Sequence, residues 1–182
     1  MRSVLALLTL VVATGVVEAQ ESPYTGLEAR EIKALSAERI AALLSGEGAG
    51  YALAAELNGY PGPRHVLDLA DSLALTAGQR VRVTEIFEGM QAAARDLGRR
   101  IVAGEAALDT AFAGGSIDTS RLRASLAELA RLEGELRRVH LGAHLEVTSH
   151  LSPHQVHEYG RLRGYGGPGG HRHEQVGHER LR

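Results

Sequence analysis

Two long apolar stripes, separated by one glycine-rich turn, constrain the fold of this chain more than any other feature. The first runs through Val83, Ile86, Met90, Ala94, Leu97, Ile101, Leu108 and Phe112, with one skip near Glu105. The second runs through Leu122, Leu126, Leu129, Leu132, Leu136, Val139 and Ala143. Spacings of three and four place these side chains on one face of a helix. We therefore predict two long helices that reverse at Gly114-Gly115 and pack as an antiparallel hairpin.

Two capping boxes flank the predicted hairpin. Thr76 precedes Gln79 by three residues, and Ser152 precedes Gln155 by three, so each pair satisfies backbone amides at a helix start reciprocally. Asp118 is the predicted cap of the second long helix. The sequence thus predicts where both long helices begin and where a last short helix begins. The last helix is expected to end at about Arg163.

The remaining segments predict short helices and a tail rather than strands, because period-two alternation is missing and helix-favouring residues dominate. We expect three short helices. The first is capped by Ser36 and ended by Gly46, the second runs from about 49 to 57, and the third covers 65–73 with Pro63 at its first position. Residues 46–50 are expected to form a helix cap and hinge. The fold class is all-α: a long antiparallel hairpin over 75–163, a lead-in with short helices over 20–74, and a disordered Gly- and His-rich tail over 164–182.

The first 19 residues have the layout of a secretory signal peptide. Arg2 precedes an apolar run from Val4 to Val17, and Val17-Glu18-Ala19 offers a small-residue cleavage site. The alternative is an uncleaved anchor or a core helix, but the run is short for a membrane span. The chain has no cysteine and a net charge of −2, so disulfides and thiolate sites are excluded and a nucleic-acid partner is not expected. We expect a periplasmic protein.

Histidines concentrate late in the chain and form a candidate metal site. The candidate ligands are His140, His144, His150, His154, His157, His171 and His173. His140 and His144 stand four apart on one helix face, where two imidazoles suit zinc, nickel or copper. Solvated surface histidines, or a region that gains charge as the pH falls below the histidine range, are the alternatives that the spacing leaves open. No cofactor is required by any other motif.

The two boxes, Leu75-Thr76-Ala77-Gly78-Gln79 and Leu151-Ser152-Pro153-His154-Gln155, resemble the LTXXQ family of periplasmic proteins, which includes Spy, CpxP and ZraP. Ser152 departs from the family's threonine but keeps its hydroxyl. The resemblance covers about residues 75–163. It implies a small helical protein that forms a cradle-shaped homodimer and acts as an ATP-independent chaperone or as an accessory sensor in envelope or metal stress.

Two functions follow as expectations. The first is a chaperone-like protein that binds unfolded or misfolded envelope proteins through an apolar surface. The second is a heavy-metal sensor or accessory protein that works with a sensor kinase. An enzyme is not expected, since His65 near Asp68 has no nucleophile or oxyanion donor beside it in the pattern.

Overall fold

The computed structural model describes residues 22–165, and this part of the chain contains helices and turns but no strand. The elements are α1 (Ala37–Ser45), α2 (Leu53–Glu56), α3 (Pro63–Asp68), α4 (Ala77–Ala113), α5 (Thr119–His150) and α6 (Pro153–Leu162), after one 3-10 turn at Leu27–Ala29. The predicted signal peptide and residues 166–182 of the predicted tail lie outside the described residues. No helix within 22–165 is both long enough and apolar enough to span a membrane.

The hairpin is confirmed, with α4 and α5 packed against each other and joined by a turn in which Gly115 has a φ of 61°. Thr76, Asp118 and Ser152 accept hydrogen bonds from amides at the starts of α4, α5 and α6, as predicted. The predicted apolar stripes extend closer to the turn than the buried core does. Phe112 and Leu126 are about half exposed there, because the short N-terminal helices cover the hairpin only farther from its turn.

The N-terminal helices match the prediction at α1 and fall short of it at α2 and α3. Ser36 caps α1, and Gly46 ends it with a φ of 72°. The second helix starts later than predicted because Ala49 and Gly50 have positive φ values of 38° and 85°. The third ends at Asp68, and the turns that follow let Ala70, Leu73 and Leu75 all enter the core.

Two apolar clusters hold these layers together. One joins Leu43 of α1 to Ala94 and Ile101 of α4 and to the leucines at 129, 132 and 136 of α5. The other joins Val66 of α3 and Tyr159 of α6 to the start of α4 and the end of α5, which lie together at the end of the hairpin away from its turn. The N-terminal segments therefore cover one face of the hairpin, and they enclose the part of α5 that carries its first two histidines.

The two capping boxes are also bonded to each other. The Gln79 amide donates to Gln155 Oε1 at 2.9 Å, and the Gln155 amide donates to Gln79 Oε1 at 3.1 Å. The same amides reach the carbonyls of His150 and Leu73 at 2.8 and 3.2 Å. The capping glutamines thus form a clasp, defined here as the Gln79–Gln155 pair, that fixes the start of α6 to the start of α4.

This clasp predicts coupled stability effects. We expect Gln79→Ala and Gln155→Ala each to lower the free energy of unfolding by about 1–2 kcal/mol, through loss of a cap and of cross-helix hydrogen bonds. Because the glutamines are each other's partners, the double variant should lose about 1 kcal/mol less than the sum of the two. Urea unfolding of all three variants measures this coupling. Asp118→Ala removes a cap without a cross-helix partner, so its effect should add to that of Gln155→Ala; additivity within the glutamine pair itself would refute the clasp.

Candidate functional site

The site begins with two histidines on the buried face of α5. His140 follows Leu136 by four residues and precedes Val147 by seven, so it falls on the apolar stripe, and His144 lies one turn farther along. The side chains of His140 and His144 are only 2% and 7% exposed. The surface-histidine alternative is therefore wrong for these two residues, because α2 and the segment before α3 cover them.

His144 is fixed in one tautomer by its neighbours. Its Nδ1 lies 2.7 Å from the carbonyl oxygen of Tyr60. Because a carbonyl can only accept, Nδ1 carries a proton, and in the neutral ring the lone pair is on Nε2. A Cβ on Gly62 would stand 2.9 and 3.1 Å from Cε1 and Nε2 of this ring. The glycine thus lets the backbone approach the imidazole closely, in the segment that the sequence marks as a Gly- and Pro-rich break.

His140 carries a buried nitrogen without a partner. Its ring stacks on Tyr51, with centroids 5.9 Å apart and planes 2° from parallel, while its Nε2 is buried and makes no hydrogen bond. Burial, and next the charge of His144, lower the pKa of His140. The imidazole is therefore held in its neutral form, which is the form that binds metals.

Tyr51 is itself held in place from both sides. Its hydroxyl donates to Glu133 and accepts from Arg39. Burial, followed by the hydrogen bond to Glu133, raises the pKa of Tyr51 to about 12. The ring that supports His140 is thus anchored to α1 and α5 together.

Glu56, at the end of α2, places a buried carboxylate beside the histidines. Its Oε1 accepts from the hydroxyls of Tyr159 and Tyr165 at 2.5 and 2.9 Å, while its Oε2 is buried without a hydrogen-bond partner and lies 3.7 Å from Nδ1 of His144. Burial acts to raise the pKa of Glu56, but the two tyrosine hydrogen bonds and the charges of His65 and His144 outweigh it and lower the pKa.

Sequence reasoning did not single out Glu56, because its partners lie far away along the chain. The sequence spacing places His65 near Asp68. In the structure His65 Nδ1 lies 3.3 Å from Glu56, and Asp68 pairs with Arg64 at 3.5 Å. Only the fold brings α2, α3 and α6 to the same carboxylate.

These groups line a cleft of about 380 Å³, which we call the histidine cleft. Its lining includes His140 and His144 of α5, Glu56 of α2 and His65 of α3. The rest is lined by the glycine-rich segment 46–50, and by Phe87, Met90 and Gln91 of α4. The segment predicted as a cap and hinge therefore also forms a wall of the site.

The other predicted ligands lie elsewhere. His150, His154 and His157 are exposed at the end of α5 and on α6, and His150 Nε2 lies 3.4 Å from Nε of Arg82. His171 and His173 lie outside the described residues. Within 22–165 no three side chains of His, Cys, Asp or Glu form a group able to hold a metal ion. The structure thus brings together His140 and His144 and separates them from the exposed histidines.

A family model described as heavy-metal resistance matches residues 40–157, which is more than half of the chain. The matched span begins within α1, ends midway along α6 and includes every residue that lines the histidine cleft. No curated protein and no solved structure matches the chain.

Proposed function

Given that this chain belongs to the heavy-metal resistance family, we propose that it acts in metal resistance by binding a heavy-metal ion at His140 and His144 in the histidine cleft. The proposed role is binding rather than catalysis. The narrower relationship to Spy, CpxP and ZraP stays a prediction.

The unpartnered Nε2 of His140 is the observation that carries this proposal. A buried polar atom without a hydrogen bond destabilises a fold by about 1–3 kcal/mol, and in native proteins the explanations for such atoms include backbone strain, a chemical role, and a bound water or ion. Here the atom is on an imidazole one helical turn from that of His144, and Glu56 Oε2, which also lacks a hydrogen-bond partner, lies 3.7 Å from Nδ1 of His144. Imidazole nitrogen with nearby negative charge is the donor chemistry that a heavy-metal ion requires.

The surrounding residues prepare the two histidines for binding. The Tyr60 carbonyl holds the proton of His144 on Nδ1 and so presents Nε2, as carbonyl partners of metal-binding histidines do. Tyr51 restrains the ring of His140 by stacking. Tyr159 and Tyr165 orient the Glu56 carboxylate, which supplies negative charge next to the imidazoles. A bound metal ion would act as a Lewis acid and accept the lone pairs of the two imidazoles.

Metal titration of the protein spanning residues 20–182 tests the proposal. We expect zinc, nickel and copper salts to show saturable binding in the micromolar range or tighter by calorimetry, with one ion per chain at the tightest site. Bound metal should also raise the melting temperature, because a ligand that binds only the folded state stabilises it. No heat beyond dilution and no thermal shift with any of these metals would refute the proposal.

The cellular setting is part of the same proposal. The predicted signal peptide and the family support action in the periplasm, where a resistance protein meets incoming ions before they reach the cytoplasm. A sensor kinase is the partner expected for a metal-responsive accessory protein. The homodimer stays a prediction.

The chaperone function also stays a prediction, and one observation favours it. Phe112 and Leu126 are 56% and 49% exposed near the turn of the hairpin, although the sequence places them on the apolar stripes. Uncovered apolar side chains of this kind are the contacts that a client-binding surface uses.

A further inference from the structure

The ring of His140 is covered by the segment that joins α1 to α2. A Cβ on Gly48 would lie 4.0 Å from Nδ1 of this ring, and the Tyr51 ring stacks on its face. Its Nε2 is buried without a hydrogen-bond partner. Because that atom is buried, an ion reaches it only after a neighbouring segment of the chain moves.

Residues 47–50, which we call the strap, are the exposed part of this cover. The backbone hydrogen bonds that they form stay within residues 42–53, so among the described residues none ties the strap to α4, α5 or α6. The strap consists of one glutamate, one alanine and two glycines, and it places no large apolar side chain in the core. A segment with so few buried contacts opens locally at a small free energy.

The closed strap also holds a strained residue. Ala49 has a φ of 38° and Gly50 a φ of 85°. Glycine adopts such values readily, but an L-residue such as alanine does so rarely. Strain of this kind is found in segments that move as part of a function. Opening of the strap would release the strain at Ala49.

The two ends of the strap are held in different ways. At one end Gly46 fits against the backbone of α4, where a Cβ would lie 2.9 Å from the carbonyl oxygen of Gln91. At the other end the hydroxyl of Tyr51 is bonded to Glu133 and Arg39, whose side chains are partly exposed. The first contact is close backbone packing, whereas the second depends on one hydroxyl group. Tyr51 is therefore the end that can release, and we call its hydroxyl the latch.

The cover over His144 is bonded to the rest of the fold. Residues 61–63 are buried. The Tyr60 carbonyl accepts from Nδ1 of His144 at 2.7 Å, and the Gly62 amide donates to the Tyr159 hydroxyl at 3.4 Å. These bonds join the segment to α5 and α6. We therefore expect it to stay closed when the strap opens.

We propose that the strap opens to admit a metal ion to His140 while the segment over His144 stays closed, and that the Tyr51 hydroxyl latches the closed form. The ion is the one bound in the function proposed above, so this inference rests on that function. The motion itself belongs to the metal-free protein. Closure of the strap behind the ion would then separate the site from water, as mobile segments over binding sites do.

Histidine modification of the metal-free protein tests the strap without any metal. Diethyl pyrocarbonate acylates neutral imidazoles, and above the histidine pKa range all the rings are neutral, so the rate at each ring reports its cover. Peptide mass spectrometry gives the rate for each residue. In the wild type we expect His140 to react at least about tenfold more slowly than the exposed histidines 150, 154 and 157, because it reacts only from the open form.

Two alanine substitutions with matched strain separate the two covers. Gly50 lies in the strap with a φ of 85°, Gly59 lies just before residues 60–63 with a φ of 84°, and neither Cβ would meet an atom closer than 3.6 Å. Gly50→Ala should raise the modification rate of His140 about tenfold, the size of the strain that a left-handed alanine carries, and that of His144 less than about twofold. Gly59→Ala should leave the rate of His140 unchanged. Tyr51→Phe keeps the stacked ring and removes the latch, so it should also accelerate His140 selectively.

Stopped-flow uptake of zinc chloride connects the motion to metal binding. We expect Gly50→Ala to take up zinc about tenfold faster than the wild type, because opening of the strap limits entry. Uptake at the wild-type rate in a Gly50→Ala variant whose His140 is modified faster would refute the role of the strap in entry.

The modification rates separate this inference from the proposed function. A wild type that takes up no metal, with His140 still accelerated selectively in Gly50→Ala, refutes the proposed function and supports the strap. Equal acceleration of His140 and His144 in that variant refutes the strap, because general loosening of the fold would explain it. A wild-type His140 that reacts as fast as the exposed histidines, or an unchanged rate in both Gly50→Ala and Tyr51→Phe, refutes it as well.

Discussion

Replacing His140 with leucine is expected to remove tight metal binding while leaving the protein at least as stable as before. The substitution deletes an imidazole whose Nε2 is buried without a partner, and it fills the same space with an apolar side chain. Loss of a ligand should weaken the tightest metal affinity by at least about 100-fold, the upper end of what losing a ligand's supporting partner causes. Loss of the unpaired nitrogen should stabilise the fold by roughly 1 kcal/mol, minus the lost stacking on Tyr51.

The opposite signs of the two effects make this prediction specific. Metal competition assays measure the affinity, and urea unfolding in the presence of a chelator measures the stability of the metal-free protein. The matched control replaces the exposed histidines 150, 154 and 157 with alanine together and should change the tightest affinity less than about threefold, since none of them lines the cleft. Retained affinity in His140→Leu, or a loss of affinity that follows a loss of stability, would contradict the assigned role.

Replacing Gly98 with alanine is expected to detach α1 from the hairpin. A Cβ at this position would lie 2.0 Å from the carbonyl oxygen of Leu43 and 2.7 Å from its carbonyl carbon. These are backbone atoms of α1, so no rotation of a side chain relieves the contact. We expect the free energy of unfolding to fall by about 3 kcal/mol or more, at or above the upper end for overpacked cores, and the melting temperature to fall by roughly 10 °C.

Gly89→Ala on the same helix is the control for Gly98→Ala. A Cβ at Gly89 meets nothing within 4 Å, so alanine should stabilise α4 by about 0.5–1 kcal/mol through its higher helix propensity. Circular dichroism melts of the two variants against the wild type measure both effects. A Gly98→Ala variant that melts within about 2 °C of the wild type would show that α1 does not cross α4 at this residue.

Local signals in the sequence predicted the elements whose ends depend on a few neighbouring residues. The starts of α4 and α6 follow from Thr76 with Gln79 and from Ser152 with Gln155, because a capping box is closed within four residues. The same signals failed at α2 and α3, where the prediction was too long. At α2 the positive φ of Ala49 belongs to a residue with no intrinsic preference for that conformation, and the surrounding fold imposes it.

The site was only half predictable for a related reason. The spacing of His140 and His144 places them on one helix face, and their position on the apolar stripe of α5 is a signal that they are buried. Glu56 and Met90 gave no such signal, since a glutamate at the end of a short helix and a methionine on an apolar stripe are ordinary features. Whether such residues line a cleft depends on which segments of the fold pack across from them.

By itself, the sequence determined that this chain forms an all-α hairpin with capped ends and a pair of histidines four residues apart, because helix period and capping act over distances of a few residues. Only the tertiary structure decided that Gly98 admits α1, that the capping glutamines bond to each other, and that Glu56, Met90 and the two histidines share one cleft. Those contacts join residues that lie tens of positions apart. They arise only when the N-terminal helices pack onto one face of the hairpin, a choice made by the shape of the whole core rather than by any local pattern.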